Sequence, residues 1–163
     1  MVWLCGALVF SFCAPAHVAA QIKKVDGYEG YKFGMTLDQA KKVNPSAQQT
    51  RCTYVSVTAC LEYPTTVSIF PAMVVVQFEG APPLLRQVLL TIKSSAETLI
   101  RSCTEVTTEV VKLLIAKYGN RPLVRGFEAV WASPDGGSVI LSAFCTNKDE
   151  GLNIIAYTSS SPL

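Results

Sequence analysis

Apolar residues return at helical spacing between Ser94 and Pro122. Leu99, Cys103, Val106, Val110, Leu113 and Leu114 would share one face of a long helix. Ser94, with Glu97 three positions on, has the form of an N-terminal capping box. Gly119 suits the conformation that ends a helix, and Pro122 prevents resumption. The rest of the fold is expected to pack on this element. A shorter helical pattern follows Phe33-Gly34-Met35: Thr36 caps it, Leu37, Ala40 and Val43 form its apolar face, and Asn44-Pro45 stops it.

Elsewhere the period is two. Cys52 to Tyr63 alternates and is rich in Val, Thr and Tyr, which predicts a strand or a tight hairpin. Thr65 to Gly80 reads as a strand interrupted at Pro71, with Val74 to Phe78 dense enough for a central position. Ala81-Pro82-Pro83 is a turn, and Leu84 to Lys93 pairs back as a hairpin. After the long helix, Gly126–Ala132, Ser138–Thr146 and Leu152–Thr158 read as a three-stranded meander. Gln21 to Tyr31 reads as an extended lead-in, and Tyr28, Tyr31 and Phe33 as cover for one edge of the core. Two helices among hairpin-linked strands predict an α+β fold. Its antiparallel sheet would have about five to six strands, with one long and one short helix packed on one face.

The first twenty residues stand apart from this pattern. Val2 to Phe12 is apolar, of signal-peptide length and short for a membrane span. Val18-Ala19-Ala20 offers small residues where a signal peptidase reads, so residues 1–20 are expected to be a signal peptide and 21–163 one domain. No Lys or Arg precedes the apolar run, so the terminal amine alone supplies the positive charge that opens a leader. Phe12 is too large to precede a lipidated Cys13. The expected location is therefore periplasmic or secreted, with no stable membrane span once the leader is gone.

Leader removal changes the chemistry. His17 is the only histidine, so the mature chain would lack imidazole for nucleophile activation or zinc binding. Cys52, Cys60, Cys103 and Cys145 remain. An even number in an exported chain predicts two disulfides, with three connectivities open. A Cys52–Cys60 bond would require the chain to fold back between them, because eight residues of straight strand span about 26 Å. A Cys103–Cys145 bond would staple the long helix to the sheet. These two pairings are preferred. A net charge of +2 with no basic cluster beyond Lys23-Lys24 and Lys41-Lys42 argues against nucleic acid as a partner.

Catalytic candidates are weak. Lys93 and Ser94 are adjacent, but neighbouring strand residues point apart. Glu105 and Glu109 share a helix face, but Arg101, Thr104, Thr108 and Lys112 around them have the composition of a solvated face. Asp149-Glu150 alone has too few ligands for calcium. No cofactor and no metal site are expected. The most suggestive surface is Lys117 to Arg125 with Trp131 behind it. Tyr118, Arg121, Arg125 and Trp131 are residue types favoured at interface anchors, and the two arginines could clamp an anionic group.

Tyr31 to Ala40, YKFGMTLDQA, resembles the opening of many small exported bacterial proteins, and Leu113 to Pro122 with Trp131 resembles their closing half. The opening also resembles the group of the outer-membrane assembly small lipoprotein and the β-lactamase-inhibitor protein. That resemblance implies helices packed on an antiparallel sheet and a binding role without catalytic residues. The expected function is a non-enzymatic exported binding module of the bacterial envelope, presenting a sheet face or a loop to an envelope or secreted protein. The alternatives are a small cofactor-free hydrolase acting on cell-wall or lipid material, and a structural envelope protein.

Overall fold

A computed structural model describes residues 23–94, 102–119, 122–134, 136–147 and 150–159. The expected signal peptide, Glu97, Leu99, Arg121 and Asp149 lie outside them. Among the described residues the elements run β1 (Gly27–Tyr28), β2 (Tyr31–Lys32), α1 (Leu37–Val43), β3 (Gln48–Thr50), β4 (Val57–Val67), β5 (Phe70–Glu79) and β6 (Leu84–Ser94). They continue with α2 (Cys103–Tyr118), β7 (Leu123–Arg125), β8 (Glu128–Ala132), β9 (Ser138–Cys145) and β10 (Gly151–Thr158).

This corrects the expected α+β fold with five to six strands. The described chain is mostly β, with one eight-stranded antiparallel sheet, a two-stranded ribbon and two helices. The sheet order is β3-β4-β5-β6-β10-β9-β8-β7. Each half is a helix followed by a four-strand meander: α1 then β3 to β6, and α2 then β7 to β10. The halves meet along β6 and β10, whose eight paired positions run from Gly151↔Ser94 to Thr158↔Gln87. The outermost strands, β3 and β7, have only three residues each, which limits the free edge.

The additional strands come from segments with no strand signature. β3 is Gln-Gln-Thr, and β7 lies in what reads as a polar loop. The β4–β5 hairpin turns at Ser68-Ile69, and Ser68 takes φ 59° there. Both nearby prolines sit within strands. β3 reaches only to Glu62 and β6 only to Met73, so Pro64 and Pro71 lie where their strand has a neighbour on one side.

α1 forms as its residues predict. Thr36 Oγ1 accepts from the Gln39 N–H at 3.3 Å, and Gln39 Oε1 accepts from the Thr36 N–H at 2.9 Å. The start of α2 differs from the expectation. Ser94 is the buried last residue of β6, and Ser102 is the cap, in a capping box with Glu105. The end is where Gly119 predicts it: with φ 101° it closes the helix, and its N–H donates to the Ile115 carbonyl at 2.8 Å.

Strand alternation puts Leu61, Val76, Val88, Tyr157, Val139 and Trp131 in one cross-sheet row on the covered face. The next row holds Tyr63, Val74, Leu90, Ile155, Leu141 and Ala129. Val106, Val110 and Leu114 of α2, Ala40 of α1, and Tyr28 and Tyr31 of the β1–β2 ribbon bury against these rows in one core. α2 is also tied by polar contacts. Thr107 Oγ1 and Asn153 Oδ1 are 2.7 Å apart, and Asn153 is fully buried.

Candidate functional site: the open sheet face

The alternate residues of the same strands face away from the core. One row runs Val75, Leu89, Ala156, Ile140, Val130 and Leu123 across six strands. Beside it run Pro64, Met73, Thr91, Ile154, Ser142, Glu128 and Arg125. No described helix packs on these rows, and none of these residues is fully buried. Leu123 is 53% exposed and Met73 36%. Such a sequence of partly exposed apolar side chains across a sheet marks an interaction surface more often than a solvent face.

The face is not uniform. Toward the β4–β5 hairpin it dips into a hollow of about 870 Å³, lined by Pro64, Ile69, Pro71 and Met73, with Glu62 and Lys93 at its margin. At the far side, Ser142 Oγ lies 3.3 Å from Glu128 Oε1, and exposed Phe144 packs on Phe127 with ring centres 4.8 Å apart. One corner is closed by the Cys52–Cys60 disulfide. Cys60 pairs with Gln77, and both are buried.

Of the residues singled out from sequence, the three that are described, Tyr118, Arg125 and Trp131, do not come together as one surface. Trp131 is fully buried in the covered-face row and donates its indole N–H to the Gly119 carbonyl at 2.9 Å. Tyr118 is buried at the end of α2, 6.3 Å from the Tyr157 ring. Arg125 is exposed and sits at the outer end of the open face, paired in register with Glu128. Of the carboxylates weighed for catalysis, Glu105 serves the cap and Glu109 bonds Lys112 at 2.9 Å.

Both disulfides are present as preferred: Cys52–Cys60 with Cα atoms 5.5 Å apart, and Cys103–Cys145 with Cα atoms 5.7 Å apart. The second joins the first residue of α2 to the last of β9. Among the described residues no helix is long and apolar enough to cross a membrane.

Sequence reasoning missed the open face as a patch, although a signal for it exists. Val74-Val75-Val76 and Ile154-Ile155 are continuous apolar runs, and a strand apolar at consecutive positions presents apolar side chains to both sides. No protein-family model matches this sequence, and no curated protein or solved structure matches it.

Proposed function

We propose that the chain is an exported, non-enzymatic binding module that presents its open sheet face to a folded protein of the envelope or the extracellular medium. The observation that carries this is the apolar row from Val75 to Leu123, left without a covering layer among the described residues.

Size favours a protein over a small ligand. The longer row crosses seven strands, about 29 Å at about 4.8 Å between strands, a width on the scale of a protein interface and greater than a small ligand spans. The composition suits that use: an apolar centre, the Met73 hollow as a seat for one anchoring side chain, and Glu62, Lys93, Glu128 and Arg125 at the margins. The two disulfides fit an oxidising compartment, and the periplasm or the extracellular medium is the proposed location.

Two purified variants test the reading. Ile140→Asp puts a charge at the middle of the row, and Thr104→Asp puts one on the exposed side of α2. A partner isolated from envelope extract and then purified should bind the wild type and T104D one-to-one, and lose at least tenfold in affinity to I140D. Equal binding of I140D, or a concentration-dependent dimer of the chain that I140D abolishes in place of a heterologous complex, would overturn it.

A further inference from the structure

Where the lead-in and the β1–β2 ribbon meet the start of β6 and the end of β10 lies a cleft of about 370 Å³. Lys24, Asp26, Lys32, Phe33, Arg86 and Ser159 line it. Backbone bonds fix these stretches against one another. The Phe33 N–H donates to the Asp26 carbonyl at 3.0 Å, the Gly34 N–H to the Leu85 carbonyl at 2.9 Å, and the Ser159 N–H to the Arg86 carbonyl at 2.9 Å. Gly137 also lines the cleft, and a Cβ built on it would fall on the Val25 carbonyl oxygen, so the lead-in lies directly on the segment before β9. The three cationic residues thus come from three stretches that the fold holds together. The cleft shares no residue with the rows of the open face.

Its charge is one-sided. Three basic residues and one acidic residue line it, an excess equal to the +2 of the whole chain, so outside the cleft acidic and basic residues balance. Among the described residues, none of the three cationic side chains has an ion-pair or hydrogen-bond partner, and Asp26 pairs with none of them. Arg86 is half-buried, and a guanidinium cannot shed its proton to escape that burial. The Ser159 hydroxyl oxygen is buried and, among the described residues, has no hydrogen-bond partner. A buried hydroxyl in that state calls for an acceptor or donor from outside the chain.

We propose that this cleft binds a phosphate monoester, its terminal oxygens held by Lys24, Lys32, Arg86 and the Ser159 hydroxyl, and its organic part against Phe33. A monoester carries a charge of about −1.5 to −2 at neutral pH and three strong acceptor oxygens, which matches an excess of two positive charges. A carboxylate or a sulfate ester brings a single charge. The volume lies within the roughly 300–1,000 Å³ of small-molecule sites, more than a bare ion fills. The ester is either a soluble metabolite or the head group of a lipid.

The test is calorimetric titration of the mature chain at about pH 7.5, above the second phosphate pKa, with phenyl phosphate and its isosteric monoanion phenyl sulfate. Phenyl sulfate should bind about tenfold more weakly. Arg86→Gln and Lys32→Gln should each weaken phenyl phosphate about tenfold, the loss of one charge-assisted hydrogen bond. Asp26→Asn should tighten it by about twofold, because a like charge is removed. Lys42→Gln, exposed on α1 and outside the cleft, should change nothing. Lys32 is exposed, so Lys32→Gln keeps the wild-type thermal unfolding even where Arg86→Gln does not. Vesicles of phosphatidic acid in phosphatidylcholine separate the two sources. Retention that phenyl phosphate competes away supports the lipid head group, and uptake of the soluble ester without retention supports the free one. Equal affinity for the two phenyl esters, equal losses in Lys42→Gln and Lys32→Gln, or neither uptake nor retention would overturn the proposal.

Discussion

The Trp131 indole N–H donates to the carbonyl of Gly119 at 2.9 Å, tying the last turn of α2 to the penultimate strand of the sheet. Trp131 is fully exposed to neither solvent nor partner, being completely buried, and Gly119 terminates the helix. This bond, together with Leu114 and Tyr118 buried in the core, holds the C-terminal end of α2 in place. Trp131→Phe removes the donor, strands a carbonyl and leaves a void. It should cost about 2–3 kcal/mol, measured by urea unfolding.

The start of α2 gives an opposed pair of predictions. Ser102→Ala removes a capping-box hydroxyl and should cost about 1 kcal/mol. The Ser94 hydroxyl is buried in β6, and among the described residues it has no hydrogen-bond partner. Ser94→Ala should therefore leave stability unchanged or raise it slightly in the same urea experiment. A cap at Ser94 would reverse the order of the two variants.

Cys103–Cys145 closes a separation of 42 residues. In the chain-entropy model, replacing both cysteines by alanine costs about 4 kcal/mol, against about 2.5 kcal/mol for the eight-residue Cys52–Cys60 loop. Gly151 pairs with Cys145, and a Cβ built on it would fall on Cys103 Sγ. The same Cβ would also stand 2.7 Å from the Phe144 carbonyl oxygen and 3.0 Å from Cys103 Cβ, so Gly151→Ala should cost about 1–3 kcal/mol by overpacking, and less, though still a measurable amount, when Cys103 and Cys145 are already alanine. Equal cost in both backgrounds would show that the disulfide does not set the need for glycine.

Tyr28, Tyr31, Tyr63 and Tyr157 are buried, and burial is the first cause raising each pKa above its usual value of 10.0. The folded state then keeps protons that the unfolded chain releases near pH 10. Stability is fully present below that pH and falls as pH rises above it. The slope approaches about 1.4 kcal/mol per pH unit for each tyrosine involved. Tyrosinate absorbance and loss of near-ultraviolet dichroism should appear together in an alkaline titration. Tyr157→Phe, which removes one such group, should make the loss shallower.

Sequence patterns reported what is decided locally. Thr36 with Gln39, and Gly119 after Tyr118, are end signals that act within one turn, and both ends formed where those residues stand. Where two local signals compete, tertiary pairing chooses. Ser94-Ser95-Ala96-Glu97 has the form of a cap, but Ser94 is held as a strand residue by Gly151 across the ladder. The Ser68-Ile69 turn has neither glycine nor asparagine, so nothing in its composition announces a hairpin. β3 and β7 are strands only because β4 and β8 offer them partners. The candidate surface was the least legible feature. Its rows assemble from strands far apart in sequence, and Trp131 reads equally as an interface anchor or as core until its neighbours are known.

β6 and β10 carry a final implication. Each helix-plus-meander unit ends in a strand whose free side is satisfied only by the other unit, so neither is a finished protein by itself. The two halves therefore stand or fall together: substitutions that weaken the β6–β10 ladder should lower the stability of both at once, in a single unfolding transition.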